Sequence, residues 1–174
     1  MNALSADQEA EPFVDQAELL RRLDQEYRRF HAIIAPLTPD QLRIPGVVGA
    51  WAIIDVIAHF IAHEQFALRE LAHARQGEVY DPAENDTDAV NEQAVAEQRH
   101  QSVDEVLQAW DASYRQVLAA VRALSDADFD PAGPVAQVLD DSIDGALGNN
   151  TYDHYVEHMP AIESWIGQHA SPQD

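Results

Sequence analysis

His154 and His158 stand four residues apart in the stretch Asn150-Thr151-Tyr152-Asp153-His154-Tyr155-Val156-Glu157-His158. On an α-helix that spacing turns through about 40° and puts both imidazoles on one face, a turn apart. Ile162 and Trp165 fall on the same face, so the two rings point where the apolar stripe points. Two neutral imidazoles so placed can hold one divalent metal once another segment supplies a third ligand. The candidate third ligand is His59, deep in the apolar run from Trp51 to His63. The polar strip of that run is Asp55, His59 and His63, again stepping by four. A helix buried over most of its surface shows its polar residues in a site or at a solvent window. The polar pair Glu64-Gln65 follows His63, so His59 is the expected ligand, His63 the outer residue and Glu64 a solvated side chain.

Three nitrogen ligands leave an open position, the arrangement of a catalytic rather than a structural site, where a metal makes hydroxide available near neutral pH. The plainer alternative is three core histidines satisfied by Tyr, Asp or backbone partners. Two further residues are catalytic candidates. Asp55, one turn before His59, orients that ring through its second nitrogen or answers the dipole of its helix N-terminus. Asn150, one turn before His154, lines a pocket and binds a substrate carbonyl, or bonds to the loop before its helix. Tyr152, Tyr155, Trp51, Trp110 and Trp165 read as packing residues, and His31 as a histidine at the edge of the core.

The elements that must position these residues follow from the pattern. Residues 1 to 14 are polar and without period, an expected mobile tail, and a single domain is expected over 15–170. Asp15 and Glu18 form a capping pair before Leu19, Leu23, Tyr27, Phe30 and Ile34 recur at helical spacing. Thr38-Pro39-Asp40 starts a short turn of helix. A second long helix runs from about Trp51 to Arg75 and closes at Gly77. A loop follows over 78–88, then a short helix from Thr87 to about Gln98. Ser102 and Glu105 form a capping box before a third long helix with Val106, Trp110, Tyr114, Val117 and Val121 on one face. Pro131, Gly133 and Pro134 mark a loop, and a fourth long helix is expected from Ser142, kinked by Pro160 just past His158. Four long amphipathic segments and no convincing strand predict an all-α four-helix bundle, with a long crossover between helices two and three.

The chain has 174 residues, 46% of them hydrophobic, which suits one globular domain. Cysteine is absent, so any metal must be held by nitrogen and oxygen ligands. The formal charge of −21 argues against nucleic acid and against an anionic membrane surface. No apolar run reaches the roughly 20 residues of a membrane span, and no leader pattern opens the chain, so a cytoplasmic location is expected. No serine-nucleophile motif, phosphate-binding glycine loop or paired carboxylates appear.

These residues resemble the DinB-like superfamily. The likeness lies in Gly49-Ala50-Trp51 leading through Asp55 to Ala58-His59-Phe60, in the pair Asn91-Glu92, and above all in Gly148-Asn149-Asn150-Thr151-Tyr152-Asp153-His154-Tyr155-Val156-Glu157-His158. Within it the chain is most similar to the ClbS/DfsB-type four-helix-bundle proteins. The resemblance implies a homodimer and a divalent metal, zinc or nickel, held by one histidine of helix two and two of the last helix: His59, His154 and His158. It also implies chemistry of the kind seen in relatives, which include transferases and isomerases dependent on a low-molecular-weight thiol. ClbS-type proteins protect a cell by hydrolytically opening a reactive cyclopropane in a genotoxin. Two departures stand out. Ala52 occupies a place where relatives often carry Ser or Thr, which removes a cap hydroxyl, and the ClbS-like branch need not carry metal. The expectation is a metal-dependent DinB-like enzyme, a hydrolase or thiol-dependent transferase, acting on a small electrophilic molecule. The alternatives are a metal-free ClbS-like binding or self-resistance protein using the same pocket, and a structural bundle whose role is dimerisation.

Overall fold

Asp15 opens the first helix as its position dictates: its carboxylate accepts the Glu18 N–H at 2.8 Å, satisfying a donor that has no partner inside the helix. The computed structural model describes residues 14–80, 92–93, 95–97 and 99–169. The expected tail before Val14 and the candidate Asn91 lie outside the described residues, and of the expected helix at 87–98 only residues 92–93 and 95–97 are described, all helical.

The named helices are α1 (Gln16–Ile34), α2 (Pro39–Leu42), α3 (Ile53–Ala74), α4 (Val103–Arg122), α5 (Pro134–Leu139), α6 (Ile143–Gly148) and α7 (Tyr152–His169). Among the described residues there is no strand, only an isolated bridge between Val48 and Trp51, so the fold is all-α. Thr38 with Gln41, and Ser102 with Glu105, exchange side-chain and backbone hydrogen bonds at the starts of α2 and α4. Gly77 follows α3 at φ +75°, the left-handed conformation that ends a helix at little cost only for glycine.

Packing joins α3 to α4 and α1 to α7, with further contact between α1 and α4 and between α3 and α7. One apolar cluster gathers Phe30, Ile53, Ile57, Phe60, Trp110, Tyr155 and Ile162; a second gathers Leu19, Leu23, Leu71, Val117, Val121 and Leu147. The histidines adjoin the first cluster, where Phe60 packs against them. Ahead of α3, the backbone N–H groups of Gly46 and Val47 both donate to the Trp51 carbonyl, fixing the residue that leads into the histidine-bearing helix.

The expected fourth helix is broken in two. Ser142 caps α6 through its hydroxyl, which accepts the Gly145 N–H at 2.9 Å, and α7 begins afresh at Tyr152. Gly148, Asn149 and Asn150 are poor helix formers, and the Thr151 hydroxyl donates to the Leu147 carbonyl at 2.5 Å across the junction. The break places Asn150 at the mouth of α7, facing α3.

Candidate metal centre

Four imidazoles meet between α3 and α7. His59 and His63 lie a turn apart on α3, with ring centroids 4.3 Å apart; His154 and His158 lie a turn apart on α7, 4.9 Å apart. Across the helix interface His59 Nε2 stands 2.8 Å from His154 Nε2, and His63 stacks on His154 at 4.3 Å and 18°. One ligand atom from each of His59, His63 and His154 falls within 4.8 Å of the other two. His158 sits at the edge of this group, its ring 5.4 Å from that of His59.

The sequence reading joined His59, His154 and His158; all three rings adjoin in the structure. The tightest set takes in His63, the residue the sequence placed on the outside. Its promotion has a simple cause. Asn150 donates its amide N–H to the Ala146 carbonyl at 3.1 Å, which fixes the amide orientation. The Asn150 oxygen then stands 3.0 Å from His63 Nδ1. An amide oxygen can only accept, so Nδ1 carries a proton and Nε2 is the nitrogen left to face a ligand. Asn150 thus both bonds to the segment before its helix and lines the site. Asp55 accepts the Ala52 N–H at 2.9 Å, so its carboxylate serves the start of α3 as the N3 half of a capping box whose other half Ala52 cannot make.

Burial lowers the pKa of both α7 histidines. His59 is buried, 6% exposed. Loss of solvent holds His154 down at about 3, and positive charge on His63, His59 or His158 would push the same way. Burial also lowers His158, against the pull of Glu157. A neutral imidazole is the form that ligates a cation. Trp51, 5.2 Å from His59, and Phe60, 5.6 Å from His154, supply apolar walls.

The donor set suits a borderline divalent cation. Imidazole nitrogens fit zinc and nickel, and no thiolate competes. The Nε2 pair at 2.8 Å is at hydrogen-bond distance. Tetrahedral zinc with bonds of roughly 2.0–2.1 Å needs about 3.3 Å between ligand nitrogens, so the two rings must part by about half an ångström to share an ion. That lies within ordinary side-chain adjustment, and the residues fit the group.

One neighbour differs from its expected place. Glu64, expected in solvent, is fully buried at 0% exposed. Its Oε1 accepts the Trp110 indole N–H at 2.9 Å and the Tyr155 hydroxyl. Burial pushes this carboxyl up to about 7, the bonds from Ser113, Tyr155 and Trp110 only partly opposing it. Polarity in the sequence marked Glu64 as exposed. The available clue was that Trp110 and Tyr155, expected to pack, each carry a donor that needs an acceptor once buried. His31 is at the core edge as expected, stacked on Trp110 at 4.7 Å.

Fold and site together define an all-α protein with a histidine cluster set between two of its long helices. The family model described as DinB superfamily matches residues 22–144, and the chain belongs to that superfamily. The match takes in His59 and His63 and ends before α7. No curated protein and no solved structure matches the chain.

Proposed function

We propose that this protein is a metal-dependent enzyme of the DinB-like type, a hydrolase or thiol-dependent transferase acting on a small electrophilic molecule. The observation that carries the reading is the convergence of His59, His63 and His154 within 4.8 Å, with burial keeping His154 neutral. His59, His63 and His154 would hold a divalent ion such as zinc or nickel, with His158 the alternative third ligand that the family resemblance favours. Such an ion supplies Lewis acidity and a water or thiol of lowered pKa when bound. The chain's own residues then have defined tasks. Asn150 holds His63 in one tautomer, Trp51 and Phe60 keep bulk water from the rings, and the neutral imidazoles remain available as ligands. A small thiol as co-substrate fits the reading, because the chain has no cysteine of its own.

The wider architecture we take to be a single DinB-like four-helix bundle of α1, α3, α4 and α7, with a long crossover between α3 and α4. The pairing of α3 with α4 and of α1 with α7 supports it. A cytoplasmic homodimer belongs to the same reading. No helix among the described residues is long and apolar enough to cross a membrane.

A second reading has one observation in its favour. His59 and His154 bond directly to each other at 2.8 Å, so the pair is satisfied without a metal, as a ClbS/DfsB-like binding or self-resistance protein would require. The experiment that separates the two compares metal-replete and chelator-stripped protein on panels of small electrophiles, with and without low-molecular-weight thiols. Turnover that depends on metal and disappears in His154→Ala supports the enzyme. Unchanged ligand binding in stripped protein, with no turnover, supports the binder.

A further inference from the structure

We propose that Glu64, Tyr155 and Trp110 form a positioning lock for the histidine cluster, holding α3 and α7 at the rotation that lets their imidazoles converge. This rests on the metal-site reading. Glu64 directly follows His63, and Tyr155 directly follows His154. Successive helical residues point about 100° apart, so the lock lies on the faces next to the cluster and outside it.

The Tyr155 hydroxyl and the Trp110 indole N–H both donate to Glu64 Oε1 in a fully buried setting. Tyr155 and Glu64 are 91 residues apart, so one bond ties the two histidine helices directly. Apolar packing opposes separation of helices but is non-directional and tolerates small rotations. A hydrogen bond in a low-dielectric interior is directional, and here it is set one residue from a ligand on each helix. Trp110 extends the lock to α4, and its stacking on His31, at 4.7 Å and 9°, extends it to α1. Three long helices therefore share one carboxyl group, and α1 packs on the Trp110 that it holds. A metal site needs its ligands held to about half an ångström, so loss of the lock should appear first as lost metal affinity.

The test is Co(II) titration, read by visible absorption and chelator competition, of the wild type, Tyr155→Phe, Glu64→Gln and Val117→Ala. Tyr155→Phe keeps the ring and removes the bond, and is expected to weaken Co(II) binding about tenfold or more. Glu64→Gln keeps an acceptor oxygen and is expected to stay within about threefold of the wild type. Val117→Ala destabilises the other apolar cluster and is expected to leave affinity unchanged. Wild-type affinity in Tyr155→Phe overturns the lock, as does an equal loss in Val117→Ala. If the wild type itself binds no Co(II), the metal reading fails. The lock is then judged on the imidazole nitrogen resonances of the metal-free proteins. Displaced His59 and His154 signals in Tyr155→Phe alone uphold it, and signals identical to the wild type overturn it.

Discussion

Replacing Glu64 by Gln should change how stability depends on pH. The folded carboxyl titrates near 7, against an ordinary 4.5, because burial disfavours its charged form. A folded value above the unfolded one contributes stability in full below about 4.5, which is lost as pH rises through about 7. Each pH unit between the two values is worth about 1.4 kcal/mol, so the wild type should lose about 3 kcal/mol across this window. Gln does not titrate, and its curve lacks the loss. Its amide N–H₂ replaces one carboxyl oxygen in the same buried place, at a cost of about 1–3 kcal/mol that is the same at every pH. The variant should therefore be the weaker protein near pH 4 and draw level with or pass the wild type near pH 8. The gap between them should change by about 3 kcal/mol, or about 6–12 °C in Tm for a domain of this size. The assay is urea unfolding of both proteins with a chelator present, in steps from about pH 4 to about pH 8. Other titrations cancel in the difference. Parallel curves would show that Glu64 is not held neutral by burial, and would refute the reasoning.

Three further outcomes follow from the same geometry. Asn150→Ala removes the acceptor that fixes the His63 tautomer and should lower metal affinity about 10- to 100-fold in a chelator competition, with little change in helical content; unchanged affinity would remove Asn150 from the site. His154, held near 3 against an ordinary 6.5, contributes stability that is complete above about 6.5 and lost as pH falls through about 3. Metal-free wild type should accordingly lose stability over that range more steeply than His154→Asn, and equal slopes would contradict this. At Gly148 a Cβ would meet the Tyr152 hydroxyl at 2.6 Å and Asp153 Oδ2 at 2.7 Å, so Gly148→Ala should destabilise by about 1–3 kcal/mol in thermal melts, whereas an unchanged Tm would show that the α6–α7 junction yields freely.

The helices were legible because their signals are local. Asp15, Thr38 and Ser102 were read as caps from residue type and spacing alone, and each accepts a backbone N–H in the structure. The convergence of His59 with His154 was also legible, since a four-residue step on an apolar helix leaves a buried polar residue few places to go. Three things were not. The break before Tyr152 depends on three consecutive poor helix formers and a Thr151 side-chain bond, which hydrophobic periodicity does not register. The part His63 takes in the cluster was not legible, because its partner Asn150 is 87 residues away. Glu64 was misplaced in solvent because it is polar and its partners Trp110 and Tyr155 are 46 and 91 residues away. Burial of a charged residue is decided by partners that only the tertiary fold brings close.

The most direct measurement is the metal content per chain of protein purified without an affinity tag or chelator, beside the His59→Ala/His63→Ala/His154→Ala triple variant. The account predicts close to one zinc or nickel equivalent per chain in the wild type, regained after stripping and lost in the variant. A wild type that carries no metal and takes up none on addition, or a variant that retains it, would contradict the central claim.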